Sequence, residues 1–121
     1  MFETNIRYVG GLLSAYALTG DRVFLDKVTA ITDKLMPAFK SPTGVPYALV
    51  NMRTGAAKNY PWTSGSSILS EFGTLHMEFA YLSDTTGDPK YKEAVEKLRN
   101  VIREAERPKV RPSYTLEQRQ D

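Results

Sequence analysis

Thr19-Gly20-Asp21-Arg22-Val23-Phe24 returns in kind as Thr86-Gly87-Asp88-Pro89-Lys90-Tyr91, and each copy sits between stretches of helical period. A glycine tolerates the left-handed backbone that ends a helix, and an aspartate just after it is a favoured N-cap for the next one. Before Gly20, Ile6, Val9, Leu13 and Tyr16 recur at spacings of three and four; after Asp21, Phe24, Val28, Ile31 and Leu35 keep that period until Pro37 ends it. Before Gly87 the stripe is Ile68, Phe72, Leu75, Phe79 and Leu82, and after Asp88-Pro89 it is Tyr91, Val95, Leu98 and Ile102, ending near Pro108. Helices joined by so short a turn pack antiparallel. The repeat thus predicts an all-α chain of two αα-hairpins, four main helices in all. Stacked hairpins cover their open faces only against neighbours, so two of them read as a piece of a toroid or solenoid.

Between Lys40 and Ser66 the period vanishes, and Pro42, Gly44, Pro46, Gly55, Pro61 and Gly65 punctuate the chain. Tyr47 to Asn51 and Ala57 to Tyr60, around Arg53-Thr54-Gly55, suit a short β-hairpin there. Residues 107–121 show no stripe and are expected to form a divergent, disordered tail behind a domain spanning 1–106. A net charge of +2 spread over sixteen basic and fourteen acidic residues gives no reason to expect nucleic acid as a partner. With no cysteine and one histidine, a disulfide framework is excluded and a protein-only zinc site disfavoured. Phosphate-cradling glycine loops, H-E-x-x-H and G-x-S-x-G are absent from these 121 residues.

The faces opposite the apolar stripes are unusual. In the first helix Glu3, Arg7, Gly10, Gly11 and Ser14 fall at helical spacing, and each interior glycine costs roughly 1 kcal/mol relative to alanine. Such a face suggests that another helix or a ligand approaches the backbone closely. Glu3 and Arg7 suit an ordinary i,i+4 ion pair on a solvated face; alternatively they share a polar pocket, where the arginine orients the acid or binds substrate hydroxyls. In the third helix Ser67, Glu71, Thr74 and Glu78 form a second polar stripe. Glu3 precedes Gly20 by about as many residues as Glu71 precedes Gly87, so equivalent hairpins would set both glutamates near one rim, as in a carboxylate-lined sugar site. Tyr47, Tyr60 and Trp62 cluster in the loop segment, where aromatic rings either stack on a pyranose or, more commonly, anchor the loop. His76, between Phe72 and Phe79, reads as a packed or half-exposed histidine.

Several of these stretches resemble a known family. Phe2-Glu3-Thr4-Asn5-Ile6-Arg7 and Gly10-Gly11-Leu12-Leu13-Ser14-Ala15-Tyr16 look like the opening motif of the class I α-1,2-mannosidases, glycoside hydrolase family 47. Pro37-Ala38-Phe39, Pro42-Thr43-Gly44-Val45-Pro46, Trp62, Ser66-Ser67-Ile68-Leu69-Ser70-Glu71-Phe72-Gly73-Thr74-Leu75, Glu78-Phe79 and Thr86-Gly87-Asp88 follow in order. The resemblance covers about residues 2–106, and both the Ser-Ser-Ile-Leu-x-Glu-Phe-Gly-Thr-Leu stretch and Ala48 are closer to the Golgi branch.

The resemblance implies an (αα)7 barrel with a calcium ion at its base, and inverting hydrolysis of terminal α-1,2-linked mannose from high-mannose N-glycans on glycoproteins. It implies that Glu3 is the catalytic acid, acting through a water, and that Arg7 and Glu71 line the mannose site. The family's other catalytic carboxylates and its calcium-binding threonine match nothing in this sequence, so no metal ligand is assigned and the isolated chain is expected to be inactive. A full-length protein anchored by an upstream membrane helix and working in the Golgi or endoplasmic reticulum lumen is also implied. The rival expectation is a non-enzymatic mannose-binding or chaperone-associated helical module. A further one is that two hairpins from a toroid, with their inward faces uncovered, do not form a stable protein.

Overall fold

The computed structural model describes residues 1–105 and the backbone of Thr115–Leu116. The first helical run, 2–19, has three parts: α1 (Phe2–Thr4), a π-helical turn at Asn5–Val9, and α2 (Gly10–Thr19). It packs against α3 (Arg22–Leu35), which continues into a 3-10 turn at Met36–Phe39. The second hairpin is α5 (His76–Thr86) against α6 (Lys90–Ala105). Val9, Leu13, Val28, Phe79, Leu82 and Tyr91 lie in one core that both hairpins share. Phe79 sits at its centre, its ring 5.6 Å from Phe39 and edge-on to Tyr91 at 6.5 Å.

The expected all-α architecture of two hairpins is what the chain adopts, with three departures that have physical causes. The first is the π turn. A π turn rotates each residue less than an α turn does, so the stripe slips: Ile6, expected in the core, is exposed, and Asn5 is fully buried instead. The second is a break in the third helix, expected to run unbroken from Ile68 to Leu82. It splits into α4 (Leu69–Phe72) and α5 at Gly73–Leu75, where glycine, a poor helix former, is followed by Thr74, whose hydroxyl donates to the carbonyls of Ser70 and Glu71. The third lies in α3, where Leu25 takes the buried place expected of the half-buried Phe24.

The loop segment does contain the expected β-hairpin, shorter than its sequence limits. β1 (Leu49–Val50) pairs antiparallel with β2 (Ala57–Lys58), Leu49 opposite Lys58 and Val50 opposite Ala57. Asn51 builds the turn: its Oδ1 accepts from the amides of Arg53 at 2.9 Å and Thr54 at 3.2 Å, and Gly55 takes φ +76°. A second small sheet pairs β3 (Ser67–Ile68) with β4 (Thr115–Leu116), Ser67 opposite Leu116. Apart from that strand's backbone, the expected tail at 107–121 lies outside the described residues.

Candidate active site

The loop segment is held by one buried side chain. Asn59 accepts from the Ala48 amide at 2.9 Å and donates to the Gly65 carbonyl at 2.7 Å and to Ser67 Oγ at 3.2 Å. Ser67 in turn donates to the Pro46 carbonyl at 3.0 Å. Both side chains are buried, so these bonds act where water does not compete. They fix Tyr60, next to Asn59, and α4, which begins two residues after Ser67. Sequence reasoning did not single out Asn59, since an isolated asparagine in a loop looks the same whether it is a surface cap or a buried tie.

From that base the sequence-derived site residues converge. Arg7 Nε donates to Glu3 Oε2 at 2.5 Å, one turn apart on the first helical run, and both side chains are exposed. That hydrogen bond, more than the accompanying charge attraction, raises the Arg7 guanidinium above its ordinary range. Glu71, on α4, lines a cleft with Met1, Phe2, Pro46, Tyr47, Ala48 and Ile68. The Tyr60 hydroxyl lies within hydrogen-bonding reach of the Glu71 carboxylate and within the field of Glu3. Burial pushes that hydroxyl above the usual tyrosine range, and the two carboxylates add to the rise by disfavouring a third negative charge. Glu3 and Glu71, sixty-eight positions apart in the chain (71 − 3), therefore both act on the Tyr60 hydroxyl.

Other parts of the two polar stripes go elsewhere. Ser67 is buried in the loop tie, and Thr74 spends its hydroxyl on helix carbonyls. Glu78 faces α2, where its side chain would stand 3.9 Å from a Cβ at Gly10; the body approaching that glycine is a helix. At Gly11 nothing among the described residues comes within 4 Å. Of the loop aromatics, Tyr47 and Tyr60 are half-buried and Trp62 is exposed, its ring stacked on Tyr60 with centroids 5.5 Å apart and planes 17° from parallel. His76 is half-buried, beside Gly73 and Arg99. Among the described residues no group of three or more histidine, aspartate or glutamate side chains is placed to hold a metal ion. No described helix is long and apolar enough to cross a membrane.

The model of glycosyl hydrolase family 47 matches residues 1–119. A mannosyl-oligosaccharide α-1,2-mannosidase IA of Drosophila melanogaster is 64% identical over 110 residues, which are 90% of this chain and 16% of that protein. A mannosyl-oligosaccharide 1,2-α-mannosidase IB of Mus musculus is 50% identical over 116 residues, 94% of this chain and 18% of that protein. Among solved structures, an α-1,2-mannosidase from Trichoderma reesei superposes with a TM-score of 0.76 at 31% identity, over 88% of this chain and 24% of the other. The chain thus spans less than a fifth of the length of the curated relatives it matches. Its hairpins correspond to a segment of the (αα)7 barrel of such enzymes.

Proposed function

Because this chain belongs to glycosyl hydrolase family 47, we propose that it is part of an inverting α-1,2-mannosidase that trims terminal α-1,2-linked mannose from high-mannose N-glycans. The observation that supports the reading is that Glu3 and Glu71, from distant segments, both act on the Tyr60 hydroxyl. Inverting hydrolysis needs an acid on one side of the glycosidic bond and a base on the other, with room between them for water. Glu3 is the acid. Arg7 orients its carboxylate through the Nε hydrogen bond, and its other guanidinium N–H groups are donors suited to sugar hydroxyls. Glu71, ordered by Tyr60, accepts from hydroxyls of the bound mannose.

The base is supplied by a part of the barrel beyond these residues. On this reading the 121-residue chain by itself releases no mannose. Calcium belongs to the same proposal, but the described residues do not form a site for it, so no step is assigned to it. The reading also sets the parent protein on the Golgi branch, in the lumen of the Golgi or endoplasmic reticulum, tethered by an upstream membrane helix. The test is Glu3→Gln in the parent enzyme, expected to slow mannose release by about 10²–10⁴-fold, the usual contribution of a positioned acid. Unchanged turnover would remove Glu3 from the chemistry.

A further inference from the structure

We infer that the stacked Tyr60–Trp62 pair is an accessory sugar platform, taking the apolar face of a mannose residue beyond the two that flank the bond being cleaved. The inference rests on the mannosidase reading above and extends its site outward. Trp62, the chain's single tryptophan, is 73% exposed, so the outer face of its ring is open to a ligand. It stands in the loop cluster two residues after Tyr60, whose hydroxyl feels the charges of Glu71 and Glu3. Its ring lies flat on that of Tyr60, with centroids 5.5 Å apart.

The backbone beneath is restrained. Pro61–Thr63 form a 3-10 turn, Thr63 Oγ1 donates to the Tyr60 carbonyl at 2.9 Å, and two consecutive left-handed residues close it, Ser64 at φ +51° and Gly65 at φ +84°. Ser64 is the only described residue other than glycine with a positive φ, a local strain of the kind retained where a ligand is held. An aromatic face presented by a rigid turn loses little entropy on binding. A groove of about 490 Å³ runs alongside, lined by Tyr47, Lys58, Asn59, Tyr60 and Ser64. A pyranose has an apolar C–H face and a rim of hydroxyls. The stack meets the first, and the groove's Lys58 ammonium and Ser64 hydroxyl meet the second.

Two experiments decide this. Trp62→Ala in the parent enzyme is expected to raise KM for a high-mannose oligosaccharide roughly tenfold, by the size of one stacking contact. It should leave kcat, and the turnover of α-1,2-mannobiose, unchanged. Trp62→Phe should recover most of the loss. Equal loss on both substrates would make Trp62 a packing anchor, and no change on either would leave the ring without a role; both results overturn the platform. In the second experiment the 121-residue chain is titrated with the same oligosaccharide while its one tryptophan is followed by fluorescence. A saturable change that maltooligosaccharide does not reproduce supports the platform, and a flat titration overturns it. If the wild-type parent cleaved neither substrate the mannosidase reading would fall, and this titration alone would still decide the platform.

Discussion

At the first hairpin junction Thr19 Oγ1 donates to the Ala15 carbonyl at 2.7 Å and accepts from the Asp21 amide at 3.1 Å, while Asp21 Oδ1 accepts from Val23 at 3.0 Å. At the second, Thr86 Oγ1 donates to the Leu82 carbonyl at 2.7 Å and accepts from the Asp88 amide at 3.3 Å, while Asp88 Oδ1 accepts from Lys90 at 3.1 Å. Gly20 and Gly87 take φ of +68° and +78°. The opposite ends of the same helices share nothing comparable. The first runs unbroken through a π turn to Glu3; the second stops at Gly73–Leu75 and hands over to α4 and β3. Junctions closed by bonds between residues two to four apart come out alike wherever the motif recurs. The loop end is closed by contacts such as Asn59 to Ala48 and Ser67 to Pro46, so it is free to differ, and the carboxylates of the site lie there.

The sharpest way to break this comparison is through the core that both hairpins share. Phe79→Ala should cost about 3–5 kcal/mol, and calorimetry should show both hairpins still melting in one transition. Two separated transitions would mean that the hairpins are independent units. At the loop end, Asn59→Ala removes three buried hydrogen bonds and should cost about 1–3 kcal/mol. Hydrogen exchange should then rise from Pro46 to Ser67 and stay unchanged at both junctions; uniform loosening would show that the two ends are not separable.

Smaller effects sharpen the likeness of the junctions. No atom of the described residues stands within 4 Å of a Cβ built at Gly20 or Gly87, so alanine at either position meets only backbone strain. Each substitution should cost about 1–2 kcal/mol, and chemical denaturation should find the two costs nearly equal. A clear inequality would show that one junction carries tertiary load. The smallest effect expected is the alkaline one. Tyr91 OH donates to Asp33 at 2.6 Å, tying the second junction to α3, and burial, then that bond, pushes the hydroxyl up to about 12. A folded-state value above the unfolded one near 10 means the stabilisation is complete below pH 10 and fades as pH climbs toward 12. Melting temperature should fall across that window, and by less in Tyr91→Phe.

The sequence was most legible where structure is local. The Thr-Gly-Asp turns, the stripes from Val28 to Leu35 and from Tyr91 to Leu98, and the Arg53-Thr54-Gly55 turn all follow from neighbours a few residues away; the family resemblance named Glu3, Arg7 and Glu71 as candidates for the site. The stripe failed at Ile6, because one π turn changes the rotation per residue, and at Gly73–Thr74, where the helix is interrupted beside a glycine. Neither event leaves a mark in a helical count.

By itself, then, the amino-acid order determined four helices in two hairpins, the turns that join them and the residue types able to do sugar chemistry. Tertiary structure alone decided that Asn59 ties the loop from within, that the Tyr60 hydroxyl feels two carboxylates drawn from distant segments, and that Trp62 lies exposed on Tyr60. The reason is physical: periodicity and capping are set by rotation about a few successive bonds, whereas burial, shared fields and stacking exist only once remote parts of the chain meet.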